Sequence, residues 1–256
     1  EAFGWEIPKY IHVEHIMKDK HNKLSKRNGD ASFEDLIAKG YLSEAVINYI
    51  ALLGWAPKGE REIFSLSELV EEFDISGLSK SPAIFDPLKL KAINAEYIRM
   101  MTPEKFLEHA GPYIRQSVHR TDVDLSKIAA LLQNRTEVFT DIPDQVDFID
   151  SMPDYDLSLY ENKKMKTNRD TSLEVLKKAL PALEGLTEWN MDGLHECLFG
   201  LVAEMGVKNG YVLWPVRVAI SGKQFTPGGA LEIADIIGRE DTLSRMRLSI
   251  DKLSKG

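Results

Sequence analysis

Between Lys18 and Arg27 the chain reads KDKHNKLSKR, five Lys or Arg and one serine in ten residues, followed by Asn28-Gly29-Asp30. The stretch is too polar for a core strand. Lysines beside a serine and a glycine suit a loop that meets phosphate: lysine is a point charge on a flexible stem, and backbone N–H groups near glycine add donors. A solvated charge run is the plainer alternative from residue types alone. His12-Val13-Glu14-His15 carries metal-binding side chains. It lacks the i, i+4 spacing that brings two imidazoles of a helix to one ion, so ordinary polar residues on a strand or turn are the preferred reading and no metal ligand is assigned. NKKMKTNR (162–169) offers Lys163, Lys164, Lys166 and Arg169, either as a solvated helix entry or as contacts to a phosphate backbone. In LWPVRVAISGKQFTPGG (213–229), Trp214 offers a stacking face and Arg217 a planar fork, and Thr226-Pro227-Gly228-Gly229 reads as an exposed turn of backbone groups. Aromatic, arginine and backbone together suit unstacked RNA bases. A core tryptophan and an arginine paired with an acid are the bland alternative.

The elements that would position these groups read mostly as helices. SEAVINYIALLGW (43–55) has Ser43 as its expected N-cap, with Val46, Tyr49, Ile50 and Leu53 on one face. SLSELVEEF (65–73) is a short amphipathic helix. TPEKFLEHA (102–110) opens with Thr102 as N-cap and Pro103 at the first helical position, where a missing N–H costs nothing. DLSKIAALL (124–132) lines up Leu125, Ile128, Ala129 and Leu132. TSLEVLKKAL (171–180) reads as a capping box of Thr171 and Glu174. GLHECLFGLVAEMG (193–206) places Cys197 among Leu194, Leu198, Leu201, Val202 and Met205, as a small core residue. ALEIADIIGRE ends at Gly238, and a last helix is expected with Asp241 as its cap. YVLWPVRVAISG (211–222) is rich in Val and Ile and reads locally as strand, with Pro215 against it. Pro and Asp cluster in FTDIPDQVDFIDSMPDYD (139–156), the best composition signal for a boundary.

The bulk numbers are those of an ordinary globular chain. Of 256 residues 43% are hydrophobic and 28% charged, enough for a sizeable core and against disorder. A single cysteine excludes a disulfide framework and a CxxC zinc site, which makes a reducing cytosol the expected compartment. No apolar run approaches the roughly 18 residues that span a bilayer. A net charge of −8 argues against a surface coated in nucleic acid but leaves room for local basic patches. Glu1-Ala2-Phe3-Gly4-Trp5 reads as the continuation of something longer.

Several of these stretches, taken in order, resemble one family. KLSKR followed by NGD resembles the KMSKS signature of class I aminoacyl-tRNA synthetases, in the form usual for bacterial glutamyl-tRNA synthetases. FGWEIPKYIHVEHI before it, GYLSEAVINYIALLGW after it, LSKSPAIFDPLKLKAINAEYIR (78–99) and LWPVRVAISG resemble that family in order and spacing over the full chain. The resemblance implies a C-terminal half, with the Rossmann catalytic domain and its HIGH-type motif lying before residue 1. It implies a mainly α fold: the end of the catalytic domain with the KMSKS loop and a short α/β stem-contact region in 1–100, one helical anticodon-binding domain in 101–155 and a second in 156–256. It also implies a helix over 213–221, against the local strand reading.

Function follows from the same resemblance. The complete enzyme would be a ligase joining glutamate to tRNA(Glu) with ATP and Mg²⁺, while this stretch alone would be inactive and hold no cofactor tightly. It would be a cytoplasmic monomer with no membrane contact. Lys23, Leu24, Ser25, Lys26 and Arg27 would form the ATP-binding loop. Lys26 would meet the charge that develops as pyrophosphate leaves, and Lys23 and Ser25 would shape and anchor the loop. Arg27 replaces the serine of the generic motif, as is usual in this subfamily. Gly29 would let the loop turn. Anticodon contacts carry over to Trp214, Arg217, Thr226, Pro227 and Gly228, with Arg135 a candidate for the first anticodon base. Gly228 and Gly229 fall where some members carry a larger residue. Two other classes stand beside this one. A helical protein-interaction module with a chance KLSKR would show no salt-dependent affinity for tRNA, and a hydrolase using His12 and His15 would carry metal.

Overall fold

In a computed structural model, which describes residues 2–8, 10–25 and 32–255, the chain divides into two compact units. The first is Glu1–Met101 with Thr136–Thr140, and the second is Thr102–Arg135 with Asp141–Gly256. Twelve α-helices and two strands of two residues each are found among the described residues, so the fold is mainly α, as expected.

The first unit holds β1 (Ile16–Met17), α1 (Phe33–Ala38), α2 (Ser43–Gly54), α3 (Leu66–Glu72), β2 (Ala83–Ile84) and α4 (Pro87–Arg99). β1 and β2 pair in parallel, Ile16 with Ala83 and Met17 with Ile84. Helix α2 buries Val46 and Tyr49, but Ile50 of the expected stripe is 45% exposed. Trp55, Phe64 and Leu69 form a core cluster with Ala51, Leu52 and Leu78. Gly77 is required there: a Cβ would come within 2.6 Å of the Trp55 indole nitrogen and 2.7 Å of the Ala56 carbonyl oxygen. Asn48 is fully buried, and its amide donates to the Glu62 carbonyl (2.8 Å) while its oxygen accepts from the Phe64 N–H (2.7 Å) and the Tyr97 hydroxyl (2.8 Å).

The second unit holds α5 (Pro103–Ile114), α6 (Leu125–Leu132), α7 (Ile142–Val146), α8 (Arg169–Glu184), α9 (Met191–Met205), α10 (Asn209–Ser221), α11 (Ala230–Ile237) and α12 (Arg239–Lys255). Helix α10 packs against α8, α9, α11 and α12. That position explains why its sequence misleads. Val212, Val216, Val218, Ala219 and Ile220 are buried around most of its circumference, so its β-branched residues reflect burial on many sides and not a pleated sheet. The local strand reading is overturned, and Pro215 sits inside the helix. Arg245 of α12 is 6% exposed and donates to the carbonyls of Phe148 (2.8 Å), Ile149 (2.8 Å) and Ile220 (2.9 Å), which ties the end of α10 to the chain after α7.

Of the caps expected from the sequence, Thr102 holds, and the stretches beginning at Ser65 and Asp124 also start with a capping side chain. Ser65 caps α3, Thr102 caps α5 and Asp124 caps α6. Three caps move. Ser43 is the first residue inside α2, with Leu42 at the cap, because the Leu42 N–H is held by Asn94 Oδ1 at 2.9 Å. At α8 the capping box is Asn168 with Thr171, one turn earlier than expected, and Glu174 instead pairs with Lys178 on the exposed face. Helix α12 begins at Arg239, so Asp241 lies in its first turn, where its carboxylate binds Arg120. Cys197 is half-buried and not a core residue: it borders an open groove with Lys178, Pro181 and Glu204. Burial still pushes its thiol pKa up.

Candidate nucleic-acid interface

Helix α10 presents Trp214 and Arg217 one turn apart, so the two side chains share a face. The guanidinium carbon of Arg217 lies 4.5 Å from the centre of a Trp214 ring. Trp214 is half-buried and its indole N–H donates to the Leu159 carbonyl at 2.9 Å. Arg217 donates from one nitrogen to Thr226 Oγ1 (2.7 Å) and from the other to the Gln224 carbonyl (2.7 Å). Thr226 Oγ1 in turn donates to the Gly228 carbonyl at 2.7 Å. Arg217 has no carboxylate partner among the described residues. Burial lowers its pKa, because its charge is removed from water without a counter-ion. The bland reading of an arginine paired with an acid is therefore not what the fold builds. It builds a half-buried cation, laid on an indole, holding a loop.

The turn after it differs from the sequence reading. Thr226 is half-buried and Gly229 exposed, but Pro227 and Gly228 are buried. Pro227 lines a small apolar cavity with Ile128, Leu131, Val146 and Ile233. A Cβ on Gly228 would meet Leu131 Cδ1 at 2.7 Å, so a larger residue there would have to push the Leu131 side chain of α6 aside. The Gly229 N–H is held by Glu232 Oε2 at 3.0 Å. Pro227 and Gly228 thus anchor the loop from beneath. Arg135 is exposed, just past the end of α6, the helix that carries Leu131.

In the first unit Lys23 and Leu24, which open the KLSKR stretch, belong to a small hairpin. The carboxylate of Asp19 accepts from the N–H groups of His21 (2.8 Å) and Asn22 (2.9 Å), and the Lys18 N–H donates to the Asn22 carbonyl at 2.8 Å. Hydrogen bonds from the Asn22 side chain and these N–H groups hold the Asp19 carboxyl below the ordinary carboxylate range. The chain then returns: Lys23 bridges Met17 antiparallel, and the Leu24 N–H donates to the Ile16 carbonyl at 3.0 Å. Ser25 is half-buried and Lys23 exposed. On the other edge of β1 the Phe85 N–H donates to the Met17 carbonyl (2.8 Å), and the Asp86 N–H to the Tyr49 hydroxyl (2.6 Å). So α2 and the start of α4 brace the hairpin from which the loop leaves. Lys26, Arg27 and Gly29 lie outside the described residues.

Comparison with known proteins bears on both places. Residues 1–92 match the family model described as tRNA synthetases class I (E and Q), catalytic domain, and residues 105–250 match the one described as Anticodon binding domain. The chain belongs to the anticodon-binding-domain family. It is 53% identical over 255 residues to a protein named glutamate–tRNA ligase from Clostridium acetobutylicum, covering 100% of this chain and 53% of that one. It is 56% identical over 253 residues to one of the same name from Clostridium tetani, covering 99% and 52%. A crystal structure of a glutamate tRNA ligase from Elizabethkingia meningosepticum in complex with its amino acid superposes with a TM-score of 0.83 at 27% identity, covering 98% of this chain and 53% of that one. The chain spans about half the length of the curated relatives it matches.

Within the anticodon-binding-domain family match lies the second basic stretch. Asn162 Oδ1 accepts from the N–H groups of Lys164 (3.0 Å) and Met165 (3.1 Å), and Asn162 and Thr167 bond backbone to backbone, which closes a tight turn. Lys166 takes φ +60° in it. Lys164 and Lys166 line an open groove of about 820 Å³ with Lys208 and Tyr211 at the start of α10, and no acidic side chain among the described residues borders it. Arg169 is drawn off to Glu161 at 3.2 Å. Sequence reasoning missed Lys208, which is isolated in the chain and meets the other lysines only through the fold. It also missed Asp19, whose signal was the Asx-type spacing to Asn22. His12 and His15 are exposed, and no group of three or more metal-ligating side chains forms among the described residues.

Proposed function

We propose that the chain is the C-terminal part of a glutamate–tRNA ligase: it recognises the anticodon of tRNA(Glu) and carries the loop that assists ATP-dependent activation of glutamate. The observation that carries the first half is the Arg217 guanidinium, half-buried on Trp214, without a carboxylate, and fixed to Gln224 and Thr226. A cation held dry and pre-oriented favours base carbonyls or phosphate over water, because its ordering cost is already met. Arg135, Trp214 and Thr226 would join it. Pro227 and Gly228 would act through backbone and anchoring, since both are buried. Lys164, Lys166 and Lys208 would meet the phosphate backbone.

The second half rests on the resemblance of KLSKR and on the names of the relatives. As the glutamate carboxylate attacks the α-phosphate of ATP, negative charge grows on departing pyrophosphate. Lys26 would meet that charge, with Lys23, Leu24, Ser25 and Arg27 shaping the loop around it. Mg²⁺ finds no cluster of protein ligands among the described residues, and no step is assigned to it. We read the protein as having three domains, 1–100, 101–155 and 156–256; the first boundary falls beside the division of the compact units at Met101, while α5 to α12 share one unit. A monomer working in the cytoplasm fits this role. No helix among the described residues is long and apolar enough to cross a membrane.

The test is Arg217→Ala. Affinity for glutamate tRNA falls by about 1–3 kcal/mol, and for a tRNA with a changed anticodon by less. Equal losses for both tRNAs with a lower melting temperature would reduce Arg217 to a structural residue.

A further inference from the structure

Phe225 is 81% exposed, more than any other large apolar side chain described. No other exposed large apolar residue occurs between Met191 and Leu248. Along this stretch of chain it stands as a single exposed ring, unlike the broad apolar strips that seat another protein. Its backbone is unusually well held. The same guanidinium grips both neighbours, the Gln224 carbonyl on one side and the Thr226 hydroxyl on the other. Lys223, two residues before, donates to the Asp144 carbonyl (2.9 Å) and pairs with Asp147 (2.5 Å). Pro227, two residues after, is buried. The backbone on both sides of the ring is held, while the ring itself faces solvent. An exposed phenyl on a held loop gains nothing from packing in this fold, and its π face is open to a partner that stacks.

We propose that Phe225 is a stacking platform for one unpaired base of the tRNA anticodon loop, held in place by Arg217 as a positioning residue. This rests on the anticodon-binding reading above. A phenyl ring offers a π face to any base, and because the loop is already ordered little rotamer freedom is lost on binding. The platform adds affinity without reading sequence, which distinguishes it from Arg217.

The experiment uses the 256-residue chain and tRNA(Glu) carrying 2-aminopurine at each anticodon-loop position in turn. Phe225→Leu keeps an apolar side chain and removes the π face, while Phe225→Tyr keeps the ring. We expect Phe225→Leu to weaken tRNA binding about 5- to 150-fold, equally for the cognate and the anticodon-changed tRNA. We expect the salt dependence and melting temperature to stay as in wild type, and the 2-aminopurine signal to change at one position. Phe225→Tyr restores both affinity and signal. If wild type separates the two tRNAs but Phe225→Leu matches it in affinity and in signal at every position, the platform is wrong and the anticodon reading survives. If wild type does not separate the two tRNAs, both fall. A wild-type chain that self-associates, and is made monomeric by Phe225→Leu, would assign the ring to a second copy and overturn the platform.

Discussion

Asn48 illustrates how one residue can organise a unit. Its side chain serves the Glu62 carbonyl, the Phe64 N–H and the Tyr97 hydroxyl, all from within α2 and with no exposure of its own. Burial pushes the Tyr97 hydroxyl up to about 12, so at neutral pH it remains a proton donor to this cluster. Replacing Asn48 by Leu keeps the volume but strands two backbone groups. Each buried group without a partner costs about 1–3 kcal/mol, so Asn48→Leu lowers stability by about 2–6 kcal/mol. Urea unfolding reads this as a lower midpoint at unchanged slope. A midpoint equal to wild type would mean water reaches the Glu62 carbonyl and the Phe64 N–H. Arg217 organises its surroundings in the same way: its donors go to a loop and not to an acid.

At the scale of the element, α3 depends on its first turn. Ser65 Oγ accepts from the Glu68 N–H and Glu68 returns a bond to the Ser65 N–H, a reciprocal cap. Arg61 also binds the Glu68 carboxylate. That arginine, then the Ser65 bonds, hold the Glu68 carboxyl down at about 2, against an ordinary value of 4.5. A group whose folded pKa is depressed contributes stability that is complete above its unfolded pKa and lost as pH falls through the folded one. The contribution of Glu68 is therefore full above about 4.5 and fades toward about 2. Glu68→Gln lowers the melting temperature at neutral pH and flattens its decline over that acid window. Parallel declines of wild type and variant between pH 4.5 and 2 would show that Glu68 does not titrate there as described.

Over the whole molecule, charge must be read locally. The chain carries a net −8, yet Lys164, Lys166 and Lys208 border a groove with no acid on its rim among the described residues. A polyanion is attracted to such a cluster although it is repelled by the average. If these lysines meet phosphates, each contact releases counterions, and Lys164→Ala weakens all tRNAs alike while lowering the slope of log K against log salt by about 1. Titrations at several salt concentrations check this. An unchanged slope would remove Lys164 from the backbone contacts.

The sequence alone determined much of the helical frame. Ser65, Thr102, Asp124 and the end of α11 at Gly238 are legible because a cap and its partner lie within four residues. It also carried the family, through motifs in order. What it could not carry were choices made by distant partners. Asn94 fixes the start of α2 from 52 residues away. The strand-like stretch around Trp214 became a helix because four other helices cover it, and Trp214 found the Leu159 carbonyl 55 residues back. Leu131 buried Gly228, and the same packing that hid Pro227 left Phe225 in the open. Residue type sets which side chains are able to stack or donate. Only tertiary packing decides which of them are already used, because burial and hydrogen bonds depend on neighbours that local pattern does not contain.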